Sequence, residues 1–213
     1  MTNFIPIFPL SIVVYPGETL NLHIFEPRYK QMVNDCFANK KSFGIPTVLD
    51  NAVTEKGTLL EIQSIEKVYD DGKMDVVTKG IKVFNTLELI KVLPDKLYDG
   101  AIVTYPTNSE DLRSDLMRSV LTGIRELHKM LNVTKLFKKP DDKLCSYDVA
   151  HHAGLSLQEE YELLCLLRED QRLEYLKRHL QKVLPIVSGM EDLKERIQLN
   201  GHFKELKGFN LDL

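Results

Sequence analysis

The sequence predicts an α+β fold, with a β-rich part over about 1–106 followed by an α-helical bundle over about 107–213. Three observations carry this reading. Up to Pro106 the apolar residues alternate or come in short runs cut by Pro and Gly, which is the pattern of strands and turns. From Thr107 they recur at helical spacing, as in Leu112, Leu116, Val120, Ile124, Leu127 and Leu131. Thr107 with Glu110, and Ser156 with Glu159, form capping boxes in which each side chain can satisfy an orphan N–H of a helix start.

Taken in order, Phe4 to Leu10 reads as an edge strand, because Pro6 and Pro9 cannot donate to a ladder. Val13, Val14 and Tyr15 are β-formers, and Pro16-Gly17 turns the chain. Thr19 to Phe25 alternates, with Leu20, Leu22 and Ile24 on one face and Asn21 and His23 on the other. Glu26-Pro27 starts a helix over about 27–39, proline sitting where a missing N–H costs least. Tyr29, Met32, Val33, Cys36 and Phe37 give it one apolar face.

Phe43 to Leu49 reads as a strand with an edge or bulge at Pro46. Residues 50–57 read as a polar loop, and Thr58 to Tyr69 as a long strand. Asp70-Asp71-Gly72 is a hairpin turn, and Met74 to Thr78 returns antiparallel. Gly80 suggests a bulge; Ile81, Val83, Leu87 and Leu89 continue the sheet, and Ala101 to Tyr105 is its last strand. In the second half, 132–143 is a basic loop and Tyr147 to Ala153 a short helix ending at Gly154. Tyr161, Leu164, Cys165 and Leu167 form the next apolar face. Asp170 is a plausible N-cap, and Leu173, Leu176, Leu180, Val183 and Leu184 line a long helix up to Pro185. A further helix is expected over about 191–199.

The run FIPIFPLSIVVYPGETLNLHIFEPRY, through Pro6, Phe8, Pro9, Leu10, Pro16, Gly17, Leu22, Ile24, Phe25, Glu26, Pro27, Arg28 and Tyr29, resembles the N-terminal substrate-binding domain of Lon proteases. Gly57-Thr58, Glu61-Ile62, Asp71-Gly72, Gly80 and Phe84 extend the resemblance; Val83 departs from it where the family usually has arginine. Leu155, Gln158, Glu159, Leu163, Leu164, Arg172, Leu173, Leu176 and Leu180 resemble the helical bundle that follows in Lon. The resemblance implies a PUA-like twisted β-barrel before the bundle, and a stand-alone recognition module without Lon's ATPase and peptidase domains. It also implies a non-catalytic, polypeptide-binding role. Partners would be unfolded or extended polypeptide segments, with a separate protease or chaperone ATPase as a further candidate.

Composition agrees with a soluble globular chain: 213 residues, 43% hydrophobic, 28% charged. A net charge of −3 gives no electrostatic reason to expect nucleic acid or an anionic membrane. The N-terminal residues lack the basic-then-apolar pattern of a secretion leader, and no apolar run is long enough to span a membrane. Cys36, Cys145 and Cys165 are an odd set without close pairing, which fits a reducing cytoplasm.

The chain has no G-x-x-x-x-G-K-[ST] and no G-x-S-x-G, so neither a P-loop nor a nucleophile elbow is expected. His151-His152 beside Cys145 lacks metal geometry, because adjacent helical residues point about 100° apart. No metal and no cofactor is expected. Cys36 and Cys165 read as buried, inert thiols, and Asp70-Asp71 as a solvated turn. Lys135, Lys138, Lys139 and Lys143 form a basic loop without the aromatics of a single-strand platform.

Candidate contact residues are Phe25, Glu26, Arg28 and Tyr29 at the helix start, with Phe8 and Leu10 in the edge strand. Two readings stand open for them: packing and local ion pairing, or a hydrophobic groove that accepts exposed polypeptide. In the second, a segment would add to the sheet edge near Phe4 to Leu10, where prolines leave backbone groups unpaired. Its apolar side chains would enter a groove between barrel and helices. An RNA-binding PUA-like module and an enzyme of unrecognised type are the alternatives.

Overall fold

A computed structural model describes residues 2–109 and 114–187. The chain divides into two compact units, one built on the residues up to Pro106 and the other starting at Thr107.

The first unit contains β1 (Asn3–Pro6), β2 (Thr19–Ile24), α1 (Pro27–Ala38), β3 (Phe43–Leu49), β4 (Ala52–Val68), β5 (Met74–Ile90) and β6 (Gly100–Thr104). All ladders are antiparallel, in the order β1-β6-β5-β4-β3, with β2 added on β5. β5 is long enough to serve two partners: Met74 to Lys79 pairs with β2, and Asn85 to Ile90 pairs with β6. The changeover is at Gly80. There the β4 register skips from Leu59–Lys82 to Leu60–Gly80, leaving Ile81 as the bulged residue. Gly80 donates to Glu18 O and accepts from Gly17 N, both at 2.8 Å. A Cβ on Gly80 would lie 2.4 Å from Tyr15 O, so only glycine allows this approach.

The sheet is not a closed barrel. Among the described residues no ladder joins β1 to β3; two isolated parallel bridges, Ile7–Gly44 and Leu10–Thr47, link the segment after β1 to β3. Alternation places Leu20, Leu22 and Ile24 in the core, where they meet Tyr29, Met32, Val33 and Cys36 of α1. Ile5, Ile7, Leu59, Phe84, Ala101 and Val103 form a second apolar cluster. Val83 is buried opposite Thr58.

Three local expectations change. Val13, Val14 and Tyr15 form no strand; they are buried as an irregular segment held by side chains, with Tyr15 N donating to Glu18 Oε2 and Thr58 Oγ1 donating to Val14 O. Residues 50–57 are not a loop. Asp50 (φ 49°) and Asn51 (φ 63°) make a two-residue turn and β4 starts at Ala52. Phe37 is exposed, on the edge of the apolar face of α1.

The second unit contains α2 (Ser114–Met130), α3 (Ser146–Val149), α4 (Leu157–Cys165) and α5 (Glu169–Val183). Val120, Ile124 and Leu127 of α2 are fully buried, as are Leu163, Leu164, Leu173 and Leu176 of α4 and α5. The Ser156–Glu159 capping box forms, Glu159 Oε2 accepting from Ser156 N at 2.7 Å. α5 starts one residue before the expected cap: Arg168 is the N-cap, and Asp170 lies inside the helix, bound to Arg168 at 2.6 Å. Glu169 is needed inside the first turn because it pairs with Arg172 one turn on. Glu110, Leu112 and the helix expected over 191–199 lie outside the described residues.

Candidate functional site

The β2–α1 corner brings the expected contact residues together but gives them two different roles. Phe8, Leu10 and Tyr29 are buried, with the Phe8 and Tyr29 rings 3.9 Å apart between centroids. Burial pushes the Tyr29 hydroxyl up to about 12. These three side chains belong to the core. Phe25, Glu26 and Arg28 are half-buried and remain reachable. Glu26 occupies the N-cap position of α1 but makes no side-chain cap bond; its Oε2 instead accepts from Arg28 Nε at 3.0 Å. The Arg28 guanidinium lies 4.8 Å over the Tyr29 ring.

Beside this corner, β2–β5 pairing assembles a cluster that sequence alone did not indicate. His23 stacks on Phe25 at 6.4 Å and meets Tyr69 edge-on at 5.8 Å. Asp75 Oδ1 lies 2.7 Å from His23 Nδ1, and Asp75 Oδ2 accepts from the Tyr69 hydroxyl at 2.8 Å. Those bonds, His23 first, hold the Asp75 carboxyl below the usual carboxylate range. The only sequence signal was His23 on the polar side of β2.

The more open feature of this unit lies along β1. Ile7 N donates to Asp99 O, so residues 7, 5 and 3 are the hydrogen-bonded partners of the β6 side. By the same parity the N–H and C=O of Phe4 point away from β6, toward an edge that no strand covers among the described residues. The expectation of free backbone over the whole of Phe4 to Leu10 is therefore corrected. Phe8 N donates to Gly44 O, Leu10 N to Pro46 O, and Leu10 O accepts from Val48 N. Among the described residues the edge is open only at β1.

β1 and the chain entering β3 thus meet at Ile7–Gly44 and part before it, leaving a fork. A groove of about 600 Å³ fills the fork. Phe4, Leu59, Leu93, Pro94 and Tyr105 supply its apolar wall, and Asp35, Lys41 and Lys96 its charged rim. Phe4 is 48% exposed despite its size. Lys96 Nζ donates to Asp35 Oδ2 at 2.8 Å, as does the Tyr98 hydroxyl. Cys36 also borders the groove; burial pushes its thiol up to about 11, so it is a protonated, apolar contact at neutral pH. The groove lies within the first unit, between β1 and the end of α1.

In the second unit the titratable clusters serve packing. Arg172 is fully buried and every guanidinium nitrogen is engaged: Glu169 Oε2 and Ser109 O at Nη2, Asn108 Oδ1 and Leu166 O at Nη1, Ser146 Oγ at Nε. His151 pairs with Glu160 at 2.8 Å, while His152 packs against His128 and Phe137. Burial, then the charge of His128, brings His152 down to about 4. No group of three or more His, Cys, Asp or Glu that could hold a metal occurs among the described residues. The basic loop is partly neutralised, Lys139 binding Asp148 at 2.7 Å.

A family model described as the ATP-dependent protease La (LON) substrate-binding domain matches residues 5–182. Among solved structures, the Lon N-terminal domain protein from Xanthomonas campestris is 26% identical, with a TM-score of 0.63 over 82% of this chain and 96% of that one. The N-terminal domain of the Mycobacterium avium complex Lon protease is 14% identical, with a TM-score of 0.60 over 84% of this chain and 98% of that one; this likeness is one of fold.

Proposed function

We propose, for a chain that belongs to the ATP-dependent protease La (Lon) substrate-binding domain family, that it recognises extended polypeptide segments along the open edge of β1 and catalyses no reaction. The observation that carries the reading is the fork. A strand edge with outward-facing N–H and C=O at Phe4 borders an apolar groove of about 600 Å³. An added strand would take its main-chain hydrogen bonds from Phe4 and place alternate side chains against Phe4, Leu93 and Tyr105. Main-chain bonding is indifferent to sequence, so one edge serves many segments at modest affinity. Phe25, Glu26 and Arg28 flank the β2–α1 corner and are assigned to local pairing and packing. A separate protease or chaperone ATPase would receive the bound segment. A cytoplasmic setting is in keeping with three cysteines that form no disulfide among the described residues.

The test is binding of a fluorescein-labelled, reduced and carboxymethylated polypeptide, followed by anisotropy. Phe4→Pro removes the outward N–H without touching the β6 ladder, as Pro6 already does two residues on. It should weaken binding about fivefold, the worth of one hydrogen bond. Phe4→Asp should weaken it further, and Phe25→Ala should leave it unchanged. Unaltered binding by both Phe4 variants, at an unchanged unfolding midpoint, would remove β1 from the site.

A further inference from the structure

We infer that residues 132–143 of the second unit form a preorganised docking loop for a partner protein. Leu136 is the anchor and the lysines around it are the rim, so the matching surface is an apolar pocket edged by carboxylates. The inference does not depend on recognition at β1. Just past α2, Asn132 (φ 51°) turns the chain, and Val133 N donates to His128 O at 2.9 Å, which fixes where the chain leaves the helix. The next residues alternate in burial. Val133, Lys135 and Phe137 are half-buried, while Thr134, Leu136 and Lys138 are exposed. Side chains pin the inner face. The Phe137 ring lies 4.9 Å from that of His152 and 5.9 Å from the Arg125 guanidinium. Arg125 donates to both carboxylate oxygens of Asp141 at 2.7 Å, and Lys139 binds Asp148 at 2.7 Å. The loop is thus held in place while Leu136, 93% exposed, is presented to water. Burying Leu136 against a partner would cost little in ordering, because the backbone that carries it is already fixed.

Charge decides which partner fits. Residues 129–143 hold five lysines against two aspartates, in a chain of net charge −3. Lys129, Lys138 and Lys143 are exposed. A rim of this sign steers toward carboxylates and the aliphatic tip takes an apolar pocket. Nucleic acid fits less well: the loop's one aromatic ring, Phe137, is packed on His152, and Leu136 offers a base nothing to stack on. An anionic membrane would repel the chain as a whole.

The probe is a fluorescein-labelled synthetic peptide of alternating glutamate and leucine, read by anisotropy. Every chain compared is full-length and carries Phe4→Pro, so that β1 is weakened equally in all. Leu136→Asp should weaken binding about tenfold, the worth of one buried leucine. Lys138→Glu with Lys143→Glu should weaken it about tenfold at low salt and about twofold or less at 0.5 M, where screening removes the rim's contribution. The three substituted side chains are exposed, so the unfolding midpoint should not move. Benzoylphenylalanine at position 136 should crosslink to the peptide. Failure of the peptide to bind, or equal binding by natural and substituted loops, would overturn the inference. So would loop-dependent binding that is tighter to oligouridylate, or to vesicles of phosphatidylglycerol and phosphatidylcholine, than to the peptide; the loop would then be a nucleic-acid or lipid contact.

Discussion

At the scale of single residues, the strongest commitments lie in the helical unit. Arg172 and Glu169 are both fully buried, and such a pair is costly to break because the survivor is left charged and unpaired. Arg172→Met should therefore destabilise the protein by about 3–5 kcal/mol in urea unfolding, and Glu169→Gln/Arg172→Met together should cost less than Arg172→Met alone. His152 makes a pH prediction. Among the described residues its Nδ1 is buried without a partner, and the charged groups near it are His128, Lys135, His151 and Lys138. Its folded value of about 4 lies below the unfolded value near 6.5. The unfolded chain therefore takes up the proton first, and stability falls as pH drops from about 6.5 toward 4. Between pH 7 and 4.5 the unfolding free energy should fall by about 2–3 kcal/mol, a loss that His152→Leu should largely abolish. Neither the Arg172–Glu169 pair nor the burial of His128 was legible beforehand. Arg172 stood out only within a leucine pattern, and His128 gave no signal, because burial of a polar side chain depends on partners 23 to 64 residues away.

At the scale of elements, strands and helices were legible wherever period and punctuation agreed. The alternation of 19–25, the Pro27 start of α1, the Asp-Asp-Gly hairpin and the Ser156–Glu159 box all appear where residue chemistry puts them. Residues 50–57 failed because Asp50 and Asn51 supply a turn without glycine. Short polar side chains tolerate positive φ, which composition reads as a loop. Val13 to Tyr15 failed for the opposite reason: β-formers were used to fill the core without a ladder. The glycines mark where elements touch. A Cβ at Gly57 would lie 2.3 Å from Ile45 O and 2.6 Å from the Phe84 ring. Gly57→Ala should thus push β3 off β4 and cost about 2 kcal/mol or more, read as a lower thermal midpoint. Asn51→Gly, at a φ that glycine adopts freely, should leave the midpoint unchanged or raise it.

At the scale of the whole molecule, the α+β class and the family were legible, since motifs are spread over most of the chain and the family model matches residues 5–182. The open edge was legible in kind but not in extent. Pro6 and Pro9 pointed to it, yet bonds from Phe8 and Leu10 to the β3 backbone confine it to Asn3–Pro6. The groove itself was hidden, because Leu59, Leu93, Tyr105 and Lys41 meet only through the register of a sheet that stays open. The central claim is that extended polypeptide lies along β1. The most direct measurement is site-specific photo-crosslinking, with benzoylphenylalanine in place of Phe4 in one chain and Phe25 in another, each mixed with the carboxymethylated polypeptide and irradiated. The account predicts adducts from position 4, lost on adding excess unlabelled polypeptide, and none above background from position 25. Adducts from position 25 alone would contradict it and move recognition to the β2–α1 corner.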